Sequence, residues 1–439
     1  MIFMPQHYPV IVIGGGQAGL SVSCLLKKQG IDHLVLEKNR IAHSWRTQRW
    51  DTFCLVTPNW QCMLPGYPYT GKEPSGFMGR DEIVQYVENF ARSFGAPVRE
   101  GVTVTRLSAS GDGYALETSA GPLSADQVVI AVGGYHRPNI PAIAHRLPGI
   151  IKQLHSSEYR NPNQFGPADH SGEILVIGTG QSGCQIAEDL HIAGRKVHLC
   201  VGGAPRVARR YRGKDVVDWL ADMGYYDLPV DKHPLKEGVR TRANHYVTGR
   251  DGGRDIDLRL RATEGMKLYG RLDTIDGAVV KFKSDLAANL DKADEVSESI
   301  KTSIDKFIAS AGIDAPLEKR YEPVWRPVNT PTELNLIESN ITGIVWSIGF
   351  KSDFGWIDVP VFDGRGYPGH QRGVTSSPGL YFIGLPWLYT WGSGRFSGVA
   401  RDAAYIVDHI VALREPGPVD TPVHAWNDAA GFSELAFGS

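Results

Sequence analysis

This 439-residue sequence predicts an α/β fold with two copies of one strand–turn–helix unit, and three observations support it. GGGQAGL occupies residues 14–20 and GTGQSGC residues 178–184. Each follows a short apolar run, Val10-Ile11-Val12-Ile13 and Ile174-Leu175-Val176-Ile177, and each opens a helix-compatible segment. A second strand-like stretch then follows each unit, at residues 33–36 and 196–201.

A G-x-G-x-x-G turn between a strand and a helix lets a pyrophosphate approach the backbone and rest on the helix N-terminus. Two such turns in one polypeptide predict two Rossmann-like units and two dinucleotides. In the first, Gly14, Gly16 and Gly19 are the motif glycines, with Gln17 and Ala18 between them, and Glu37 ends the next strand. A carboxylate there accepts hydrogen bonds from an adenosine ribose, which predicts FAD. In the second, Gly178, Gly180 and Gly183 enclose Gln181 and Ser182, and the next strand ends in Gly202-Gly203 with no acid. Arg206, Arg209 and Arg210 follow, and guanidinium groups suit a ribose 2′-phosphate, which predicts NADPH. The same arginines would also fit a solvated surface loop.

Between the two turns, Asp81 is placed to cap a helix with Ile83, Val84, Val87, Phe90 and Phe94 on one face, stopped by Gly95. Residues 102–107 alternate, Gly111-Asp112-Gly113 turns, and residues 114–118 return as a hairpin. Residues 128–132 read as a buried parallel strand leaving through Gly133-Gly134-Tyr135, and Pro138, Pro141 and Pro148 mark a linker. Beyond the arginines, residues 257–261 and 278–282 read as strands. Val296, Ile300, Ile304, Phe307 and Ile308 give one amphipathic helix. This stretch reads as an inserted cap, the kind of element that selects substrate. Residues 343–350 repeat the earlier strand and glycine exit, ending at Gly349-Phe350; residues 379–384 add a strand and turn, and residues 397–413 a closing helix. Right-handed crossovers place these late elements on the sheet of residues 8–36. The predicted domains are therefore a discontinuous FAD unit (1–165 and 335–439), an NADPH core (166–213) inserted in it, and an α+β cap (214–334) attached to the NADPH unit.

Composition narrows the function. Lys and Arg total 46 against 48 Asp and Glu, a net charge of −2 that provides no electrostatic footprint for nucleic acid or an anionic membrane. Five cysteines form no CxxC pair and no metal-ligand spacing, which fits a reducing cytoplasm and no metal site. No run of about 18 apolar residues is present, so no membrane span is predicted. The apolar N-terminal stretch lacks a basic region and is interrupted by Gly14-Gly15-Gly16, so it reads as a strand and turn, not a signal peptide. The expected partners are a small-molecule substrate and O₂, with a homodimer compatible.

The two glycine turns, Glu37, the downstream arginines and the strand exits VIAVGGY and IVWSIGF resemble the class B flavoprotein monooxygenases, the flavin-containing and YUCCA-type enzymes. His155 and Tyr159 match the last two fixed positions of that family's linker fingerprint, whereas Gly149 and Ile151 stand where it has Phe and Gly. The wording of residues 43–68 looks closest to a bacterial subgroup often encoded beside nitrilases. The resemblance implies hydride transfer from NADPH to FAD, then transfer of one O₂ oxygen to a small organic substrate through a C4a-(hydro)peroxyflavin.

It further implies that Trp45, Arg46, Gly384 and Leu385 lie near the flavin, that Val102 and Val104 flank adenine, and that Gly133 and Gly349 mark the exits joining the two domains. Asn59 is the expected polar group beside the flavin, with a turn-forming role as its alternative. Trp387, Tyr389, Thr390 and Trp391 are placed to wall a substrate pocket or shield the flavin edge. His155 reads as a linker hydrogen bond. Competing readings are an NADPH-dependent flavin, quinone or disulfide reductase without oxygen insertion, and a flavin-binding sensor.

Overall fold

The computed structural model describes residues 5–167 and 172–414. The first unit opens with β1 (Gln6–Ile13), α1 (Gln17–Lys28) and β2 (His33–Glu37). Along β1 the side chains alternate: Val10 and Val12 enter the core under α1, while Ile11 and Ile13 enter the core on the opposite face. A strand buried on both faces is a parallel-sheet strand, and its continuous apolar run is the mark of one. Next come α2 (Arg80–Ser93), β3 (Val98–Glu100), β4 (Val104–Ser110), β5 (Gly113–Thr118) and β6 (Leu123–Ile130). α2 starts one residue before the predicted cap Asp81: Gly79 is the N-cap, and its N–H donates to Glu82 Oε2 at 2.8 Å. Gly95, at φ +60°, follows the helix as expected.

The chain then crosses into a second sheet through β7 (Lys152–His155), β8 (Glu173–Ile177), α3 (Gln181–Ile192) and β9 (Val197–Cys200). After it come α4 (Leu258–Thr263), β10 (Lys267–Tyr269), β11 (Leu272–Asp276), β12 (Val279–Phe282), α5 (Leu286–Ala311), β13 (Glu333–Asn335) and β14 (Ile341–Trp346). The described chain ends with β15 (Leu380–Phe382) and α6 (Val399–Arg414).

The two sheets repeat one plan. In the first, parallel strands run β3-β2-β1-β6-β15, with the β4–β5 hairpin joined antiparallel to the start of β6. In the second, parallel strands run β10-β9-β8-β14-β7, and β11-β12-β13 form a separate antiparallel meander. β14 therefore lies between β7 and β8, which corrects the expectation that residues 343–350 join the first sheet. β7 also belongs to the second sheet, although it falls inside the predicted 1–165 unit.

The segment expected to be a cap supplies the second sheet's outer strand β10 and the meander. Residues 257–261 are not a strand. Asp257 caps α4 by accepting from the N–H groups of Arg259 and Leu260, and a short apolar–charged alternation does not outweigh an N-cap that satisfies two orphan donors. α5 carries the predicted apolar face, with Val296, Ile300, Ile304 and Ile308 buried.

Both glycine turns are shaped by their neighbours. A methyl group built on Gly14 would lie 2.5 Å from the Ala131 oxygen, and one on Gly178 would lie 2.6 Å from the Ser347 oxygen. One built on Gly19 or Gly183 would overlap the carbonyl of Gly14 or Gly178, respectively. Since the obstacle is backbone, Gly19→Ala and Gly183→Ala should each destabilise the protein by about 3 kcal/mol or more. Denaturant unfolding checks this, and a loss below about 1 kcal/mol would contradict the close packing.

Candidate active site

The middle glycine of each turn behaves oppositely. Gly16 and Gly180 are the N-caps of α1 and α3, and a Cβ on either meets nothing within 4 Å. Their φ values, −82° and −62°, are open to any residue. Steric need inside the folded chain therefore explains the first and third glycines but not the second. Space kept free against a helix N-terminus, with its orphan N–H groups, is what a pyrophosphate requires, so the residues present fit a dinucleotide at both turns.

Glu37 sits where the sequence places it. Its Oε2 accepts from the Gly15 N–H at 2.7 Å and its Oε1 from the Asn39 N–H at 2.8 Å, so the carboxylate is held at the rim of the first turn. Val102 donates its N–H to the Glu37 carbonyl at 3.0 Å, while Val104 begins β4 and packs at the margin of the core. In the second unit, Gly178 N–H bonds to Cys200 O as Gly14 N–H bonds to Leu36 O. Val201 therefore occupies the place of Glu37.

The arginines need correction. Arg206 is 3% exposed, pairs with Asp294 at 2.6 Å and stacks over the Tyr321 ring at 4.0 Å. Arg209 is 2% exposed, pairs with Asp215 at 2.8 Å and donates to the Val56 carbonyl. Buried and paired, these two hold loops together; of the three, Arg210 alone is exposed.

Each first-turn glutamine ties its helix to a loop. Gln17 Nε2 donates to the Gly394 carbonyl and its Oε1 accepts from Trp45 Nε1, while Gln181 Nε2 donates to the Val247 carbonyl. Ser182 lies between Gln181 and Gly183 in the first turn of α3. Gly384, at φ +83°, follows β15 so close to α1 that a Cβ built on it would lie 2.8 Å from the Ala18 Cβ. Trp45 stacks on Phe396, ring centroids 5.6 Å apart, so the tryptophan both packs and borders the turn.

Several expected contacts are spent elsewhere. Asn59, 3% exposed, donates through Nδ2 to Glu73 O and accepts at Oδ1 from Met78 N–H. Its amide clamps the loop instead of reaching a ligand. Arg46 pairs with Glu88 at 2.5 Å on α2. Leu385 buries its side chain in the core, 2% exposed, and offers no side-chain surface to a ring. Trp387 and Thr390 are buried, leaving Tyr389 and Trp391 partly open.

Gln61 is a residue that sequence reasoning missed. It is 2% exposed with its Oε1 unpartnered, but a lone glutamine in a loop carries no motif. Residues 245–248, which meet the second turn through Val247, were equally unmarked. His245 lies among them, and burial pulls its imidazole down to about 4, so it is neutral at physiological pH.

The linker residues are anchored in the second unit, where Thr52 of the first also reaches them. His155 is fully buried; its Nε2 donates to the Gly349 carbonyl at 2.9 Å, and burial lowers its pKa, which keeps it neutral. Tyr159 donates to Asp189 Oδ2 on α3, whose other oxygen accepts from Thr52 and Arg250. Just beyond the exits Gly133 (φ +73°) and Gly349 (φ +83°), Arg137–Pro138 and Phe350–Lys351 pair antiparallel where the chain crosses between the sheets. Among the described residues no group of His, Cys, Asp or Glu is placed to hold a metal, and no helix is long and apolar enough to cross a membrane.

Comparison with known proteins agrees with this architecture. Residues 11–222 match the pyridine nucleotide-disulphide oxidoreductase family. Among solved structures, a flavin-containing monooxygenase from Stenotrophomonas maltophilia superposes with a TM-score of 0.63 at 17% identity, covering 93% of this chain and all of that one. A bacillithiol disulfide reductase from Staphylococcus aureus superposes at 0.55, with 14% identity over 92% of this chain and 99% of that one. The fold with its two glycine turns is the one these flavin-dependent and disulphide oxidoreductases share.

An uncharacterised CzcO-like oxidoreductase of Geobacillus kaustophilus is 31% identical over 411 residues, covering 92% of this chain and 99% of its own length. The chain belongs to this CzcO-like oxidoreductase family. Indole-3-pyruvate monooxygenase YUCCA1 of Oryza sativa is 29% identical over 208 residues, 46% of this chain and 49% of that protein.

Gly16→Ala should match the thermal stability of the native apoprotein yet purify without yellow cofactor, whereas Gly180→Ala should retain FAD and raise the KM for NADPH at least about tenfold, one hydrogen-bonded contact's worth. Cofactor absorbance and steady-state kinetics check both, and a yellow Gly16→Ala protein would refute the cradle. A second prediction concerns Asp402 on α6, 1% exposed, which Ser393 contacts while receiving the Tyr389 and Thr390 N–H groups. Burial pushes its carboxyl up to about 6, so between pH 3.8 and 6 the folded chain holds more proton than the unfolded chain and loses stability as pH rises. Relative to the native chain, Asp402→Asn should therefore gain up to roughly 3 kcal/mol on going from pH 4 to pH 7. Urea unfolding at the two pH values reads it, and parallel behaviour would contradict the buried charge.

Proposed function

We propose that this chain is an FAD- and NADPH-dependent monooxygenase that places one oxygen of O₂ into a small organic substrate. The observation that carries this reading is the pair of like-built dinucleotide cradles on twin sheets, joined by paired crossing segments beside both glycine exits. FAD, when bound, supplies the acceptor for the hydride of NADPH and the site at which O₂ is activated.

The chain's own residues bind and orient. Gly16 and the α1 N-terminus receive the FAD pyrophosphate and Glu37 the ribose, while Gly180 and the α3 N-terminus receive that of NADPH. Arg210, the exposed arginine, is the residue we assign to the 2′-phosphate. Trp45, Phe396 and the returning loop at residues 384–394 would exclude water beside the first turn.

The cysteines speak against a dithiol reductase. All five are unpaired, and burial pushes Cys54 up to about 11 and Cys62 to about 12, so neither is a thiolate at neutral pH. Unpaired cysteines also support a cytoplasmic setting.

Purified protein supplied with NADPH and ¹⁸O₂ should oxidise NADPH and yield product carrying one ¹⁸O atom. Stoichiometric peroxide with every substrate offered, and no labelled product, would leave a simple reductase. Arg210→Ala should cut the NADPH-over-NADH preference about tenfold, the weight of one charge-assisted contact. Arg206→Ala should leave the preference unmoved and destabilise the fold by about 3 kcal/mol or more, as breaking a buried ion pair does. A changed cofactor preference in Arg206→Ala would reverse these two assignments.

A further inference from the structure

The two turns differ in the residue between their first two glycines: Gly15 in one, Thr179 in the other. Their strand ends correspond through the bonds from Gly14 N–H to Leu36 O and from Gly178 N–H to Cys200 O. In that register Glu37 matches Val201, and Lys38 matches Gly202.

At the first turn the acid requires the glycine. Glu37 Oε2 accepts the Gly15 N–H at 2.7 Å, and a Cβ built on Gly15 would lie 3.0 Å from Glu37 Cβ and 3.2 Å from Oε2. Carbon atoms in favourable contact stand about 3.5–4.0 Å apart, so a side chain at this position would push the carboxylate away from the N–H. Gly15 does not have a left-handed φ, so backbone conformation places no demand for glycine there. The demand comes from Glu37.

At the second turn the strand end is secured from the opposite direction. Thr179 is 2% exposed, and its Oγ1 accepts from the Gly202 N–H at 2.8 Å. Val201 is buried among the apolar residues under α3; its N–H donates to the Tyr269 carbonyl at 2.9 Å and its carbonyl accepts from Asn289 Nδ2 at 3.0 Å. One turn is thus tied by a carboxylate reaching in from the strand, the other by a hydroxyl reaching out from the turn. The two devices compete for one place. With Thr179 present, an acid at position 201 meets the crowding that Gly15 avoids.

An unphosphorylated ribose offers hydroxyl donors and gains from a carboxylate acceptor, whereas a ribose 2′-phosphate carries negative charge that a carboxylate repels. A threonine in the turn therefore keeps out both the acceptor and the charge.

We propose that Thr179 is a specificity-determining residue of the second turn: its side chain takes the room a ribose-binding carboxylate would need, and so reserves that turn for the dinucleotide phosphorylated on its ribose. This rests on the reading of the second turn as the NADPH site. It acts by exclusion, separately from the attraction assigned to Arg210.

Calorimetric titration of the FAD-loaded protein with NADP⁺ and with NAD⁺ reads the selection without turnover. The native chain should bind NADP⁺ at least about tenfold more tightly, the weight of one charge-assisted contact. Val201→Glu alone should weaken NADP⁺ without improving NAD⁺. Val201→Glu combined with Thr179→Gly should bind NAD⁺ at least about tenfold more tightly than the native chain does. A gain in NAD⁺ affinity that is the same with and without Thr179, or no gain in a folded double variant, overturns the proposal and leaves the NADPH reading intact. A native chain that binds neither dinucleotide, or binds NAD⁺ the better, overturns both. Since a glutamate at the buried position 201 stresses the fold, the first turn supplies a reciprocal test. Gly15→Thr and Glu37→Val should each weaken FAD binding about tenfold, and the two together no more than either alone. Additive losses would contradict the shared place.

Discussion

The structure depends on one close approach made twice. At the end of β1 the backbone of Gly14 comes so near the exit of β6 that no side chain fits between them, and Gly178 meets the exit of β14 in the same way. The third glycine of each turn lets the following helix start directly over the first. These contacts leave the middle glycine facing open space, where a helix N-terminus presents unsatisfied donors. Phosphate binding is thus a consequence of how strand, turn and helix pack, and it needs no special side chain.

Two such cradles serve one reaction only if their occupants can meet. One polar node ties the first unit to the second: Thr52, Tyr159 and Arg250 converge on Asp189 of α3, while His155 holds the carbonyl of Gly349 inside the second unit. Hydrogen-bonded groups of this kind set orientation better than apolar contact alone, because each fixes an angle as well as a distance. The loops that cover the turns are tied in the same manner, by Gln17 to Gly394 and by Gln181 to Val247. The position of the cover is therefore linked to the helix that binds phosphate.

Sequence reading matched the structure where local backbone decides the shape. The glycine turns, the strands before them and Glu37 were legible because steric and hydrogen-bonding requirements act within about 25 residues. It failed where a polar side chain had several partners to choose from. Arg206, Arg209, Arg46 and Asn59 all carry the right chemistry for a cofactor, and all are committed to other parts of the chain. It also misread residues 257–261, where an aspartate cap decided for helix against a strand-like alternation.

What the sequence determined by itself is the class: two dinucleotide turns of one design, told apart by an acid at the end of one strand and its absence at the other. Strand partners were decided only by tertiary structure, since residues 341–346 look like a return to the first sheet and in fact complete the second. Which cations are spent was decided there too, because a guanidinium is paired by carboxylates tens of residues away, as Arg206 is by Asp294. Local motifs record what the backbone must do, whereas the surplus of charge at a site is a property of the assembled neighbourhood.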